Sequence, residues 1–187
     1  MIFNTHSNLA GTHAVLSASQ HAWLNYDDDK MVRRYRTLQA ARRGTELHEF
    51  AKEAIRLGVR LPEDPQTTLA LYVNDAIDMG LIPEQTLFYS VNCYGTADTI
   101  GFDDDRLQIH DYKSGESTTS PNQLYIYAAL FCMEYGVKPA KIKTELRIYQ
   151  SDEVRVYPAE HEFITYIMGR IFQLDKIIES IKTETRR

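Results

Sequence analysis

Between Thr86 and Lys113, three runs of strand-forming residues follow one another with almost nothing between them. Thr86 to Tyr94, Ala97 to Phe102 and Arg106 to Lys113 are separated only by Gly95-Thr96 and by Asp103-Asp104-Asp105. Links this short cannot carry a crossover, so consecutive strands must run antiparallel, as a meander with Gly95 and the Asp triplet marking the turns. The flanking segments have a different period. Ser19 to Tyr26 reads as a short helix capped by Ser17 or Ser19. A longer helix is expected from Asp28 to Leu57, interrupted or bent near Gly44 and stopped by Gly58. Asp64-Pro65 has the form of a helix start, an N-cap followed by Pro at the first position, for a helix ending at Met79-Gly80. After Lys113, Ser120-Pro121 opens a helix to Gly136. Lys141 to Gln150 alternates as a strand, Val154 to Tyr157 hairpins onto it, and Glu160 to Thr183 closes the chain as a helix. The expected class is α/β (α+β), one domain over 1–187 with a mixed central sheet flanked by helices.

Composition narrows the function classes. At 187 residues, 43% hydrophobic and 25% charged, the chain can bury one ordinary core. The longest apolar run, Tyr125 to Met133, is too short to cross a bilayer, and no basic and apolar leader pattern opens the chain. Cys93 and Cys132 lie far apart and cannot make a four-thiolate zinc or iron–sulfur site, so a reduced, cytoplasmic setting is expected. Net charge is −5, against the basic footprint usual for nucleic-acid binders. Basic residues nonetheless cluster at Arg33, Arg34, Arg36, Arg42 and Arg43, and again at Lys138, Lys141 and Lys143. Alone, such clusters describe a solvated helix face and a loop.

The chemistry centres on Asp111-Tyr112-Lys113 at the end of a strand. Alternation sends Asp111 and Lys113 to one side and Tyr112 to the other. A carboxylate, an ammonium and the Tyr112 carbonyl then meet at one place. Hard cations such as Mg2+ bind carboxylate and carbonyl oxygen, lower the pKa of bound water and neutralise charge on a phosphate. A lysine beside them can steady the attacking hydroxide or the phosphate oxygens. By itself a DxK triplet is an ordinary surface ion pair. Asp98, in Gly95-Thr-Ala-Asp98, changes the balance, because it falls on the preceding strand, across a hairpin from Asp111. Like charges so close repel unless a cation joins them. His48, in Gly44-Thr-Glu-Leu-His48, offers a nitrogen ligand from a helix. Gln123 and Tyr127, four apart, share a face of the helix after the DYK strand; either they are core and surface residues, or they contact phosphate, water or DNA.

Taken in order, GxxxH, GxxD, DYK and QxxxY resemble the motif series of RecB-like PD-(D/E)XK nucleases, over about residues 14 to 150. Leu16-Ser-Ala-Ser19, with Trp23-Leu24 after it, is similar to the opening of small phage-encoded members. The resemblance implies a restriction-endonuclease-like core, with Mg2+ or Mn2+ held by His48, Asp98, Asp111 and the Tyr112 carbonyl. It implies catalysis by Asp98, Asp111 and Lys113, supported by Gln123 and Tyr127. Relatives that carry an iron–sulfur cluster have a cysteine shortly after the opening SxS helix, near where Tyr26 stands here, and three more near the C-terminus; this chain has none there, so no cluster is implied. No P-loop is present, so a helicase partner, or a single-strand-binding or annealing partner, would be a separate chain. The expected activity is a metal-dependent DNA nuclease, an exonuclease acting in recombination, repair or phage replication. Homo-oligomerisation through the last helix, at Phe163, Ile167, Ile171 and Leu174, is one way to restrict it to DNA ends; the alternative is that this stripe simply covers the sheet. The alternatives are a structure-selective endonuclease on the same site, or a non-catalytic nucleic-acid-binding module or metal-binding structural domain on the same fold.

Overall fold

A computed structural model describes residues 4–9, 11–65, 67–115 and 119–185. The chain divides into two compact units, residues 1–43 and 44–187. In the first, short 3-10 turns at Ser7–Leu9 and Ala18–Asn25 precede the start of α1 (Asp28–Leu57). The Ala18–Asn25 segment is not the regular helix expected of it: Gln20 leaves helical geometry, and no side chain caps it at Ser17. Ser17 instead bonds its hydroxyl to that of Ser19 and accepts the Trp23 indole N–H on its carbonyl at 2.8 Å. α1 is started by Asp27, whose carboxylate accepts the Lys30 N–H. Arg33, Arg34, Arg36, Arg42 and Arg43 are all exposed.

In the second unit, the helix that begins in the first runs through Gly44 and ends where expected. Gly58, at φ +66°, donates to the Ile55 carbonyl, and Val59 to that of Ala54. α2 occupies Thr68–Asp78, so the expected start at Asp64-Pro65 is corrected. The cap is Thr67, whose hydroxyl accepts the Ala70 N–H at 3.1 Å; Asp64-Pro65, joined by a cis peptide, lies before it. Gly80, at φ +64°, follows the end of α2 as predicted.

Five strands follow: β1 (Ile82–Ser90), β2 (Cys93–Asp103), β3 (Arg106–Lys113), β4 (Lys143–Gln150) and β5 (Glu153–Pro158). They lie in the order β1-β2-β3-β4-β5, antiparallel throughout except for the parallel β3–β4 pair. α3 (Asn122–Glu134) makes that crossover, and α4 (His161–Thr185) closes the chain. The protein is thus α+β, with a five-stranded mixed sheet flanked by helices. No helix among the described residues is long and apolar enough to cross a membrane. The first hairpin differs from its expectation. β1 begins and ends four residues early, the turn is Val91-Asn92, and Gly95 sits inside β2 opposite Leu87. A long-range contact places the turn there: Ser90 Oγ donates to Asp175 of α4, and Asn92 Nδ2 bridges Asp175 and Glu179.

Side-chain alternation divides the core. Leu107 and Ile109 of β3 and Leu146 and Ile148 of β4 pack with Leu124, Ala128 and Leu130 of α3 and Ile164 of α4. Tyr112 and Tyr149, on the opposite face of the same strands, pack with Ala51, Ala54 and Ile55 of α1 and Tyr72, Val73 and Ala76 of α2. The second cluster has a polar margin in which Asp75 accepts from Tyr149 Oη at 2.7 Å and from Arg147 at 3.1 Å. His110, fully buried there, has its pKa driven down to about 3 by burial and by Arg147, so it stays neutral.

Gly95 has a packing role rather than a turning one. A Cβ there would stand 2.9 Å from Cε1 of Tyr127, a ring fixed in the α3 core. Gly95→Ala should destabilise the protein by about 1–3 kcal/mol, the usual scale of overpacking, read as a lowered midpoint in urea with an unchanged slope.

Candidate metal centre

The site lies where β2 and β3 stop pairing. Their last bonded pair in this direction is Thr99↔His110, and the register carried one residue further sets Asp98 opposite Asp111. The strands diverge there because the Asp98 side chain takes the place of the ladder: its Oδ2 accepts the Tyr112 backbone N–H at 3.0 Å. Each strand therefore carries a carboxylate at the point of divergence, Asp98 within β2 and Asp111 near the end of β3. His48 reaches them from α1, with Nδ1 3.4 Å from the same Asp98 oxygen. Its ring is held edge-on against Tyr112, at 5.5 Å between centroids, and Tyr112 is stacked on Tyr72 of α2. The aromatic cluster under the sheet thus aims the imidazole.

On the other side, Lys113 donates to Asp111 Oδ1 at 2.9 Å, as the alternation along β3 requires. It also approaches Gln123 Oε1 at 3.4 Å, and the Gln123 amide donates to Tyr127 Oη at 2.9 Å. Gln123 and Tyr127 are therefore linked to the DYK strand through Lys113. All the residues singled out in the sequence, namely His48, Asp98, Asp111, Tyr112, Lys113, Gln123 and Tyr127, fall in this one neighbourhood.

Glu84 was not among them. One ligand atom each from His48, Glu84 and Asp98 lies within 4.8 Å of the others. In β1, Pro83 pairs with Thr99 and Gln85 with Ala97, so Glu84 stands opposite Asp98 at a break in the pairing. Its φ of +53° marks a local break in the strand, a conformation that costs on the order of 1–3 kcal/mol outside glycine. Glu84, Asp98 and Asp111 then form a row of carboxylates across three adjacent strands. The signal available in the sequence was positional, an acid the right number of residues ahead of Asp98. It was hidden because the strand was expected to begin only at Thr86.

The electrostatics fit a cation. Asp111 is 1% exposed, and its Oδ2 is buried with no hydrogen-bond partner. Burial first, and Asp98 second, push its pKa up to about 6, against the lowering effects of Lys113 and His48. A sealed, unsatisfied carboxylate oxygen beside two further carboxylates and an imidazole is a donor set for a divalent ion that accepts oxygen and one nitrogen. His48, Glu84 and Asp98 offer atoms close enough to share such an ion, and Asp111 borders them without joining that trio.

Two expectations follow. An acid with a raised folded-state pKa binds more protons folded than unfolded, so its contribution to stability falls as pH rises from about 4 through about 6. For Asp111 this amounts to on the order of 3 kcal/mol in chelator-treated protein. His110, with its lowered pKa, contributes in the opposite sense over the same range, so the diagnostic is a difference. Asp111→Asn should gain stability over wild type as pH rises from 4 to 7, in thermal melts with EDTA, and Mn2+ should stabilise wild type alone. Separately, Glu84→Gln and His48→Ala should each weaken Mn2+ binding by roughly tenfold or more in titration calorimetry, with His48→Ala affecting Mn2+ more than Mg2+ because imidazole is the softer donor. Unchanged Mn2+ affinity in Glu84→Gln would remove Glu84 from the ligand set. No protein-family model matches the chain, and no curated protein matches it either.

Proposed function

We propose that the chain is a divalent-metal-dependent deoxyribonuclease, a RecB-like PD-(D/E)XK domain that hydrolyses phosphodiester bonds. The observation that carries the reading is the convergence of Asp98, Asp111 and Lys113 where β2 and β3 diverge, with His48 and Glu84 beside Asp98. The element order supports it as well, since three antiparallel strands, a helical crossover and a parallel fourth strand are the arrangement the motif series implies. The choice of DNA as substrate rests on that motif series.

Mg2+ or Mn2+, when bound, would supply an acidified water and neutralise charge on the phosphate. Asp98, Asp111, His48 and the Tyr112 carbonyl would hold it, with Glu84 added to the set. Lys113 cannot bind a cation while protonated; its ammonium is placed to donate to a phosphate oxygen as charge builds there. Gln123 receives Lys113 on its carbonyl and is itself braced by Tyr127, so these two are positioning residues for the lysine. An open polar cavity of about 470 Å3, lined by Thr68, Tyr112, Lys113, Ser114, Ser151 and Asp152, adjoins the lysine and has room for a nucleotide flanking the scissile bond.

The test uses end-labelled linear DNA beside the same molecule as a covalently closed circle, each single- and double-stranded, with Mg2+, Mn2+ or EDTA. Cleavage should require the ion and vanish in Asp98→Ala and Asp111→Ala. Lys113→Ala should lose roughly 10²-fold in rate, the scale for removing one transition-state donor, while retaining metal affinity. Full activity in EDTA, or in both aspartate variants, would refute the metal site. Linear DNA should be degraded and the closed circle spared; rapid cutting of the circle would make the enzyme an endonuclease on the same residues.

A further inference from the structure

The seam of α4 is longer than the core it covers. Ile164, Ile167, Ile171, Leu174, Ile178 and Ile181 follow one another at alternating spacings of three and four, the a and d positions of successive heptads. Ile164 is buried, and Ile167 and Ile171 pack against the α3 core. Beyond them the same seam emerges: Leu174 is 45% exposed and Ile178 38%, with Ile177 beside it at 48%. This distal half is nevertheless held in place along its polar edge. Asp175 accepts from Ser90 and Asn92 at the β1–β2 turn, Glu179 accepts from Asn92, and Lys182 donates to Asn92 and to Glu179. A docked helix with one polar edge engaged presents its apolar edge outward.

From this we infer that the distal half of α4 pairs with the same segment of a second copy of the chain, antiparallel, about a two-fold axis at Ile177. The charges at the outward g edge suit this occupant, while Asp175 on the opposite edge stays bound to Ser90 and Asn92 of its own subunit. With a at Ile164, Ile171 and Ile178, the g positions are Arg170, Ile177 and Glu184. In an antiparallel pair, g positions of one helix lie against g positions of the other. Placing Ile177 on the axis puts Ile177 against its mate, and residues seven before and seven after it then face each other. Arg170 therefore meets Glu184 of the partner subunit, twice by symmetry.

A parallel pair fits worse. It would set Ile177 against a lysine at the e position, and Arg170 against an aspartate that Ser90 and Asn92 already engage. It would also bring the two cores side by side. In the antiparallel pair, Ile164 lies thirteen residues from the axis, about 20 Å along the helix, so the globular bodies sit at opposite ends. The inference does not depend on the nuclease reading.

Sedimentation velocity on the full chain, from about 1 to 100 µM, tests it. Wild type should pass from monomer to dimer in that range. Ile177→Glu, at an exposed position, should stay monomeric with an unchanged circular dichroism spectrum. Arg170→Glu and Glu184→Arg should each weaken the dimer by about tenfold, because each places like charges together at two sites. The double exchange, Arg170→Glu with Glu184→Arg, should restore affinity to within about threefold of wild type. A wild type monomeric throughout, a dimer indifferent to Ile177→Glu, or an exchange that fails to restore association would overturn the proposal. A monomer that co-sediments with vesicles containing anionic lipid would overturn it too, by giving the seam a different occupant.

Discussion

The carboxylate of Asp111 is sealed beside that of Asp98 at the point where two strands part. In a low-dielectric setting two such charges repel, and each lone pair without a donor is unfavourable. The protein meets this in three ways. Lys113 neutralises one oxygen of Asp111, the Tyr112 N–H takes one oxygen of Asp98, and Asp111 is pushed toward protonation. The remaining oxygen of Asp111 finds no donor. What the surrounding structure holds in place is a group of acids and an imidazole that could hold a cation, a local cost the rest of the fold sustains.

That arrangement depends on both faces of the sheet. On one, α3 packs Leu124, Ala128 and Leu130 onto the strands and so carries Gln123 and Tyr127 to Lys113. On the other, Tyr72 stacks on Tyr112 and meets Tyr149 edge-on, all packed with α1 and α2, and His48 rests edge-on against Tyr112. The parallel β3–β4 pairing is central to this. It extends from Arg106↔Lys143 to Lys113↔Gln150 and pins the end of β3 just where its pairing with β2 has ceased. Without a neighbour on that side, the DYK strand could not both leave β2 and keep its side chains ordered.

The two ends of the first hairpin serve different purposes. Near Glu84 the strand breaks its backbone geometry and faces Asp98 with a third carboxylate. At Ser90 and Asn92 the turn binds the polar edge of α4 and leaves that helix's apolar edge outward. A single hairpin therefore contributes to the candidate metal centre and to the orientation of the surface we assign to self-association.

Local sequence determined much of this protein. The three-strand meander, the crossover helix, the glycine stops at Gly58 and Gly80, and the shared side of Asp111 and Lys113 follow from period, turn chemistry and alternation. These depend only on residues a few positions apart. Tertiary structure decided what depends on distant partners. Gly95 reads as a turn residue, yet its place is within β2, because Asp175 and Glu179 fix the turn at Asn92 and the Tyr127 ring needs the space a side chain would fill. The Asp64-Pro65 pair reads as a helix start, but Thr67 lies nearer the first turn and caps it. Glu84 joins the site through a register that spans three strands. It lies fourteen positions before Asp98 in the chain, and only the pairing of β1 with β2 turns that separation into adjacency, because strand register, unlike periodicity, is set by the whole sheet.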